Sequence, residues 1–176
     1  MQTGSISVNA MLCDYAEVSG QKLFVTGAGI GWVSSRAEPP HPVNIALALL
    51  VRIPWGATNQ QHRLTIELVS DLGAMGNPGS GSAERVALNN LLPPGVPEEE
   101  RGMIISLFNA GRAPNMLPGE DVLMPVAIPL LGLPLPRLGS YFFSVSVDGV
   151  EVDRISFRAV TVSTIMTGFP PMVAPS

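Results

Sequence analysis

Glycine and proline punctuate this chain from end to end, 18 and 17 of its 176 residues. Proline lacks the N–H and clashes with the preceding helical turn; glycine loses the most backbone freedom on folding. No apolar i, i+3, i+4, i+7 stripe survives through three turns. What recurs is short apolar or alternating runs bounded by Gly, Pro and Asn, the pattern of an all-β sandwich or barrel. The expectation is an all-β, antiparallel β-sandwich of about 7–8 strands. It spans residues 1–160, with a long Gly/Pro-rich loop near 71–100 and an irregular, uncharged tail over 161–176.

The individual runs sharpen this reading. Ile6–Tyr15 and the glycine-rich Lys22–Ser34 are the first two strands. Val43–Ile53 is apolar nearly throughout, as in a strand central in a sheet or covered on both faces. His62–Val69 alternates, with Leu64, Ile66 and Leu68 on one face and Arg63, Thr65 and Glu67 on the other. A short strand near Arg85–Leu88 and one over Gly102–Asn109 follow, and Pro97–Glu100 could open a single helical turn. In Val122–Leu131, Pro125 and Pro129 share strand parity, so their missing N–H groups lie on one lateral side. That marks an edge strand guarded by proline. Asp148-Gly149 between apolar runs signals a tight hairpin. Val147 should pair with Val150, and Val145 with Val152. One extra residue at Asp153-Arg154 is then needed to keep Ile155 and Phe157 on the apolar face with Val150 and Val152, which predicts a β-bulge.

Charge excludes several function classes. Only 14% of residues are charged, the net charge is −4, and Lys22 is the sole lysine. Duplex binding needs a basic stripe to displace counterions, and anionic membranes attract the same feature, so neither partner is expected. The single cysteine, Cys13, can form no internal disulfide, and no signal peptide or spanning segment is evident. These point to a cytoplasmic protein.

No constellation carries obvious chemistry. Thr26-Gly27-Ala28-Gly29-Ile30-Gly31 looks like a phosphate-binding glycine loop, but Trp32-Val33-Ser34-Ser35 leaves no helix to receive a phosphate. His41 and His62 lack metal-ligand spacing. A nucleophilic set of Cys13, His62 and Asp14 can be written, yet nothing local activates Cys13. Glu98-Glu99-Glu100 reads as a solvated run. No catalytic, metal or cofactor residue is assigned. Trp32 and Trp55 are either stacking platforms or packing residues.

Several segments together resemble a known family: Cys13-Asp14-Tyr15-Ala16-Glu17-Val18, Gly20 with Lys22-Leu23 and Gly27, His62-Arg63-Leu64 ending in Asp71-Leu72-Gly73, and Gly139-Ser140-Tyr141-Phe142-Phe143 with Val147-Asp148-Gly149. The chain is similar to a bacterial family of short uncharacterised proteins, a domain of unknown function. The resemblance implies an immunoglobulin-like or C2-like sandwich and transfers no catalytic residue. It covers roughly residues 6–73 and 122–160; the middle segment and the tail are departures from it.

The functional expectation is a non-catalytic accessory or structural subunit, not an enzyme, acting through protein–protein interaction or self-assembly. Trp55 and the tail residues Ile165, Met166, Phe169 and Met172 are its candidate contact residues. A sandwich binding a small ligand or carbohydrate through Trp32, Trp55 and the Gly73–Pro97 loop is the alternative, and a hydrolase-type enzyme the third reading.

Overall fold

The computed structural model describes residues 4–71, 84–86, 88 and 102–161. Within them lie eleven strands: β1 (Ser7–Cys13), β2 (Tyr15–Ser19), β3 (Lys22–Thr26), β4 (Trp32–Ser35), β5 (His41–Ile53), β6 (Gln61–Asp71), β7 (Glu84–Val86), β8 (Met103–Asn109), β9 (Val122–Leu135), β10 (Gly139–Val147) and β11 (Val150–Thr161). A 3₁₀ turn at Trp55–Ala57 is the one helical element among the described residues. The fold is all-β. One sheet has the order β1-β5-β9; the other runs β4-β11-β10-β6, with β7 and β8 both pairing with β6. The hairpin β2–β3 forms a third layer.

The two main sheets pack through side chains of one parity. From β5 come Val43, Ile45, Leu47, Leu49, Val51 and Ile53; from β6, Leu64, Ile66 and Leu68; from β10, Tyr141, Phe143, Val145 and Val147. Burying each large apolar side chain contributes about 1.5–3 kcal/mol. Phe157 of β11 stacks against Tyr141 and Phe143, at centroid distances of 5.5 and 5.7 Å. The Tyr141 hydroxyl stays satisfied by donating to the Arg137 carbonyl at 2.6 Å.

Of the run Val43–Ile53, Ile45–Leu49 is buried on both faces, while Asn44 and Arg52 are exposed. Its outward residues Ala46 and Ala48 are buried with Cys13 and Ala16, and Leu23 and Val25 of β3 pack on them. The small side chains let the hairpin lie close against the sheet. The alternation read in β6 holds through the whole strand.

The edge strand is also as read. β9 pairs only with β5 among the described strands, with Val51↔Met124, Leu49↔Val126, Leu47↔Ile128 and Ile45↔Leu130 in register. The Ala10 N–H points away from β5, to Asp153. Leu49, opposite Ala10, therefore turns its backbone toward β9, and so do the other members of those four pairs. Pro125 and Pro129 fall between them and present their missing N–H groups to the open side.

Several expectations need correction. Ile6–Tyr15 is two strands, because the chain turns at Asp14, and Lys22–Ser34 is two, split at Gly27–Gly31; the strand count rises accordingly. β4 pairs with β11 in parallel, so the sandwich is not wholly antiparallel. β5 starts at His41 rather than Val43, and His41 is buried with Nδ1 on the Ala37 carbonyl. The hairpin bulge exists, and Phe143↔Ile155 and Tyr141↔Phe157 pair as required, but the extra residue is Val152. Val145 consequently faces Asp153, whose carboxylate accepts the Ala10 N–H at 2.8 Å and ties β11 to the edge of β1. Val150, at the turn, is exposed rather than on the buried face.

The short strand expected near Arg85–Leu88 is β7, pairing Val86 with Leu68. The Pro97–Glu100 turn lies outside the described residues.

Candidate functional site

β1 ends at Cys13, opposite Ala46, while β5 continues back to His41. Along His41–Ile45 no described strand pairs with β5 on its β1 side. By the parity set at Ala10, Asn44 directs its backbone N–H and C=O to that open side. Its side-chain Oδ1 reaches across the other flank and accepts the Gly132 N–H at 2.8 Å, within the β9 irregularity.

A second open edge faces the same space. In the parallel ladder the Arg158 N–H donates to the Gly31 carbonyl. The alternation then turns the backbone of Gly31, Val33 and Ser35 toward β11, and that of Trp32 and Ser34 away from it. Between these edges lies a groove of about 480 Å³, lined by Asp14, Gly27–Ser34 and Val43–Ile45.

The glycine loop shapes one wall. Leu12, the last residue of β1 but one, accepts the Gly29 N–H at 3.0 Å, which pins the loop against the end of β1. Gly27 has φ +67°, and a methyl group there would collide with the Asp14 carboxylate. The loop leads directly into β4 rather than into a helix, so its glycines build a wall. Asp14 is exposed and is the one charged side chain among the lining residues. Trp32 is 48% exposed at the mouth.

The other sequence candidates lie elsewhere. Trp55 follows the far end of β5. Ten residues of strand separate Val43 from Ile53, about 33 Å at 3.3 Å each. Trp32 and Trp55 therefore cannot grip one small ligand together. Trp55 is half-buried under the Arg112 guanidinium, 4.0 Å from the ring centroid, and Arg112 also donates to the Trp55 carbonyl and the Thr58 hydroxyl. Ile165, Met166, Phe169 and Met172 lie outside the described residues, as does nearly all of the Gly73–Pro97 loop.

His62 does meet a carboxylate. It is 7% exposed, with Nδ1 2.7 Å from Asp148 Oδ2 and Nε2 2.7 Å from the Ala57 carbonyl, and its ring packs on Phe108. Burial opposes the cation, but the Asp148 carboxylate and the Ala57 carbonyl outweigh it and raise the His62 pKa. Asp148 Oδ1 accepts the Arg63 N–H as well. Sequence reasoning missed this clamp; its two halves stand 86 positions apart, and only the Asp-Gly turn hinted at one of them. Both imidazole nitrogens are engaged, which leaves none to take a proton from a substrate.

Cys13 is fully buried beneath the β2–β3 hairpin with its Sγ toward the Ala46 carbonyl. Burial, then the neighbouring Asp14 charge, push its thiol pKa up, away from the nucleophilic thiolate. Among the described residues no three His, Cys, Asp or Glu side chains gather as a metal site, and no helix is long and apolar enough to cross a membrane.

Residues 9–160 match a family of unknown function, DUF6941. The chain belongs to that family. No curated protein matches it. The DUF6941 region runs from within β1 to β11 and so contains both groove edges, the glycine loop and the His62–Asp148 clamp, whereas residues 161–176 fall beyond it.

Proposed function

We propose that this protein is a non-catalytic binding subunit that engages other proteins through the groove between β4 and β5. One observation carries the reading: two strand edges, at Trp32/Ser34 and at Asn44, turn unpaired backbone into one groove. An open edge is a ready template for a strand of another chain, and natural sheets block the edges they do not use. Here β9 is blocked with proline while β4 carries none; on β5, Pro42 has the parity of Asn44 and confines that strand's open backbone to Asn44, which leaves β4 as the main docking edge. The buried, protonated Cys13 and the fully engaged His62 favour binding over catalysis.

The test is Ser34→Pro in the full chain. The Ser34 N–H faces the groove, so proline there removes a docking group and leaves the ladder to β11 intact, as Pro125 and Pro129 do on β9. Immobilised wild-type protein should retain a discrete partner that the Ser34→Pro protein, folded by circular dichroism, does not. Identical retained sets would contradict the reading.

A further inference from the structure

The groove has a chemical preference as well as a shape. Its floor is apolar, from Val33, Val43 and Ile45, all buried. Its rims offer backbone N–H and C=O groups from Trp32, Ser34 and Asn44. At the glycine-loop end stands Asp14, whose carboxylate has no hydrogen-bond or ion-pair partner among the described residues. The Asp14 N–H donates to the Thr26 carbonyl at 3.1 Å, which fixes the backbone that carries this charge, and Gly27 leaves the space the side chain fills.

We infer that the groove takes an extended peptide strand carrying an arginine or lysine, with the basic side chain at Asp14 and the peptide backbone paired to the β4 edge. The inference rests on the binding reading above and specifies its partner. An extended polypeptide can meet such an edge with a ladder of main-chain hydrogen bonds, which a sugar or a helix, whose backbone is already bonded internally, does not supply. The carboxylate selects the charge. The uncharged segment 161–176 of this chain lacks the complementary residue and is not that strand; the occupant is a basic segment of another polypeptide.

The experiment uses the intact ¹⁵N-labelled chain and three capped seven-residue peptides of alternating valine and threonine, with arginine, glutamine or glutamate at the centre. Amide and indole shifts report position and affinity together. The arginine peptide should shift Trp32, Ser34 and Asn44 and bind about tenfold tighter than the glutamate peptide. Asp14→Asn should erase that difference, and Ser34→Pro should weaken all three peptides alike. If all three bind equally at these residues, the charge inference fails and the groove reading stands. If none shifts these residues at about 1 mM, a bound set by weak peptide affinity, the groove reading fails too. Shifts of the same amides on concentrating the chain alone mean that a second copy fills the groove, and overturn the inference.

Discussion

Asp148→Asn isolates the charge in the clamp that joins the β10–β11 turn to β6. Asp148 has φ +52°, a left-handed conformation that asparagine adopts as readily as aspartate, so the turn itself is preserved. What changes is the acceptor count. Asp148 offers one oxygen to His62 Nδ1 and the other to the Arg63 N–H. Asparagine has a single oxygen for the two donors. One charge-assisted hydrogen bond is lost, worth about 1.5–3 kcal/mol when well shielded; the half-exposed Asp148 side chain lowers this to about 1.5 kcal/mol. The pH dependence follows from the direction of each shift. The His62 pKa is raised, so its contribution is complete below about pH 6.5, the unfolded value, and is lost as pH rises through the folded value. The Asp148 pKa is lowered, first by the His62 hydrogen bond and then by the Arg63 N–H, so its contribution is present above the ordinary 3.8 and is lost as pH falls through the folded value. Urea unfolding followed by tryptophan fluorescence should show Asp148→Asn destabilised by about 1.5 kcal/mol near pH 5.5 and by about half that near pH 9, where the imidazole is neutral. Comparing the two proteins at each pH cancels groups that titrate elsewhere. An equal loss at both pH values, or a larger one at high pH, refutes the clamp.

Three further experiments probe the frame around the groove. Asp153→Ala leaves the Ala10 N–H at the β1 edge without its acceptor and should cost about 1–2 kcal/mol in urea unfolding; a change within error would mean that the bulge at Val152 positions nothing. Gly27→Ala must hold a methyl at φ +67° against Asp14, so it should cost at least about 1–2 kcal/mol, with part recovered in the Gly27→Ala/Asp14→Ala double variant; purely additive losses would remove Asp14 from the explanation. Cys13 should react with a disulfide reagent only as fast as the chain opens, with the rate climbing as urea is added; fast labelling in the native protein would contradict its burial beneath β2–β3.

The elements legible in the sequence were those written in local periodicity or turn chemistry. Alternation fixed the buried face of β6, paired prolines marked β9 as an edge, and Asp148-Gly149 set the β10–β11 hairpin. The bulge was deduced from register but misplaced, because the residue that decides its position, Asp153, answers to Ala10 at the other end of the chain. Asp14 looked like an ordinary strand residue until the chain was seen to turn there. The groove was unreadable for the same reason: its walls come from β1, the glycine loop, β4 and β5, and only the parallel pairing of β4 with β11 frees the Trp32 and Ser34 edge. Trp32 and Trp55 looked like partners in sequence, and the extended β5 holds them apart.

Amide hydrogen exchange along β4 of the intact chain tests the open groove most directly. With Val33 and Ser35 bonded to β11 and Trp32 and Ser34 facing the groove, exchange should alternate slow and fast along these four residues, and the fast pair should slow when the arginine peptide is added. Trp32 and Ser34 amides as protected as Val33 and Ser35 before any peptide is present would mean that this edge is already taken, and would contradict the account.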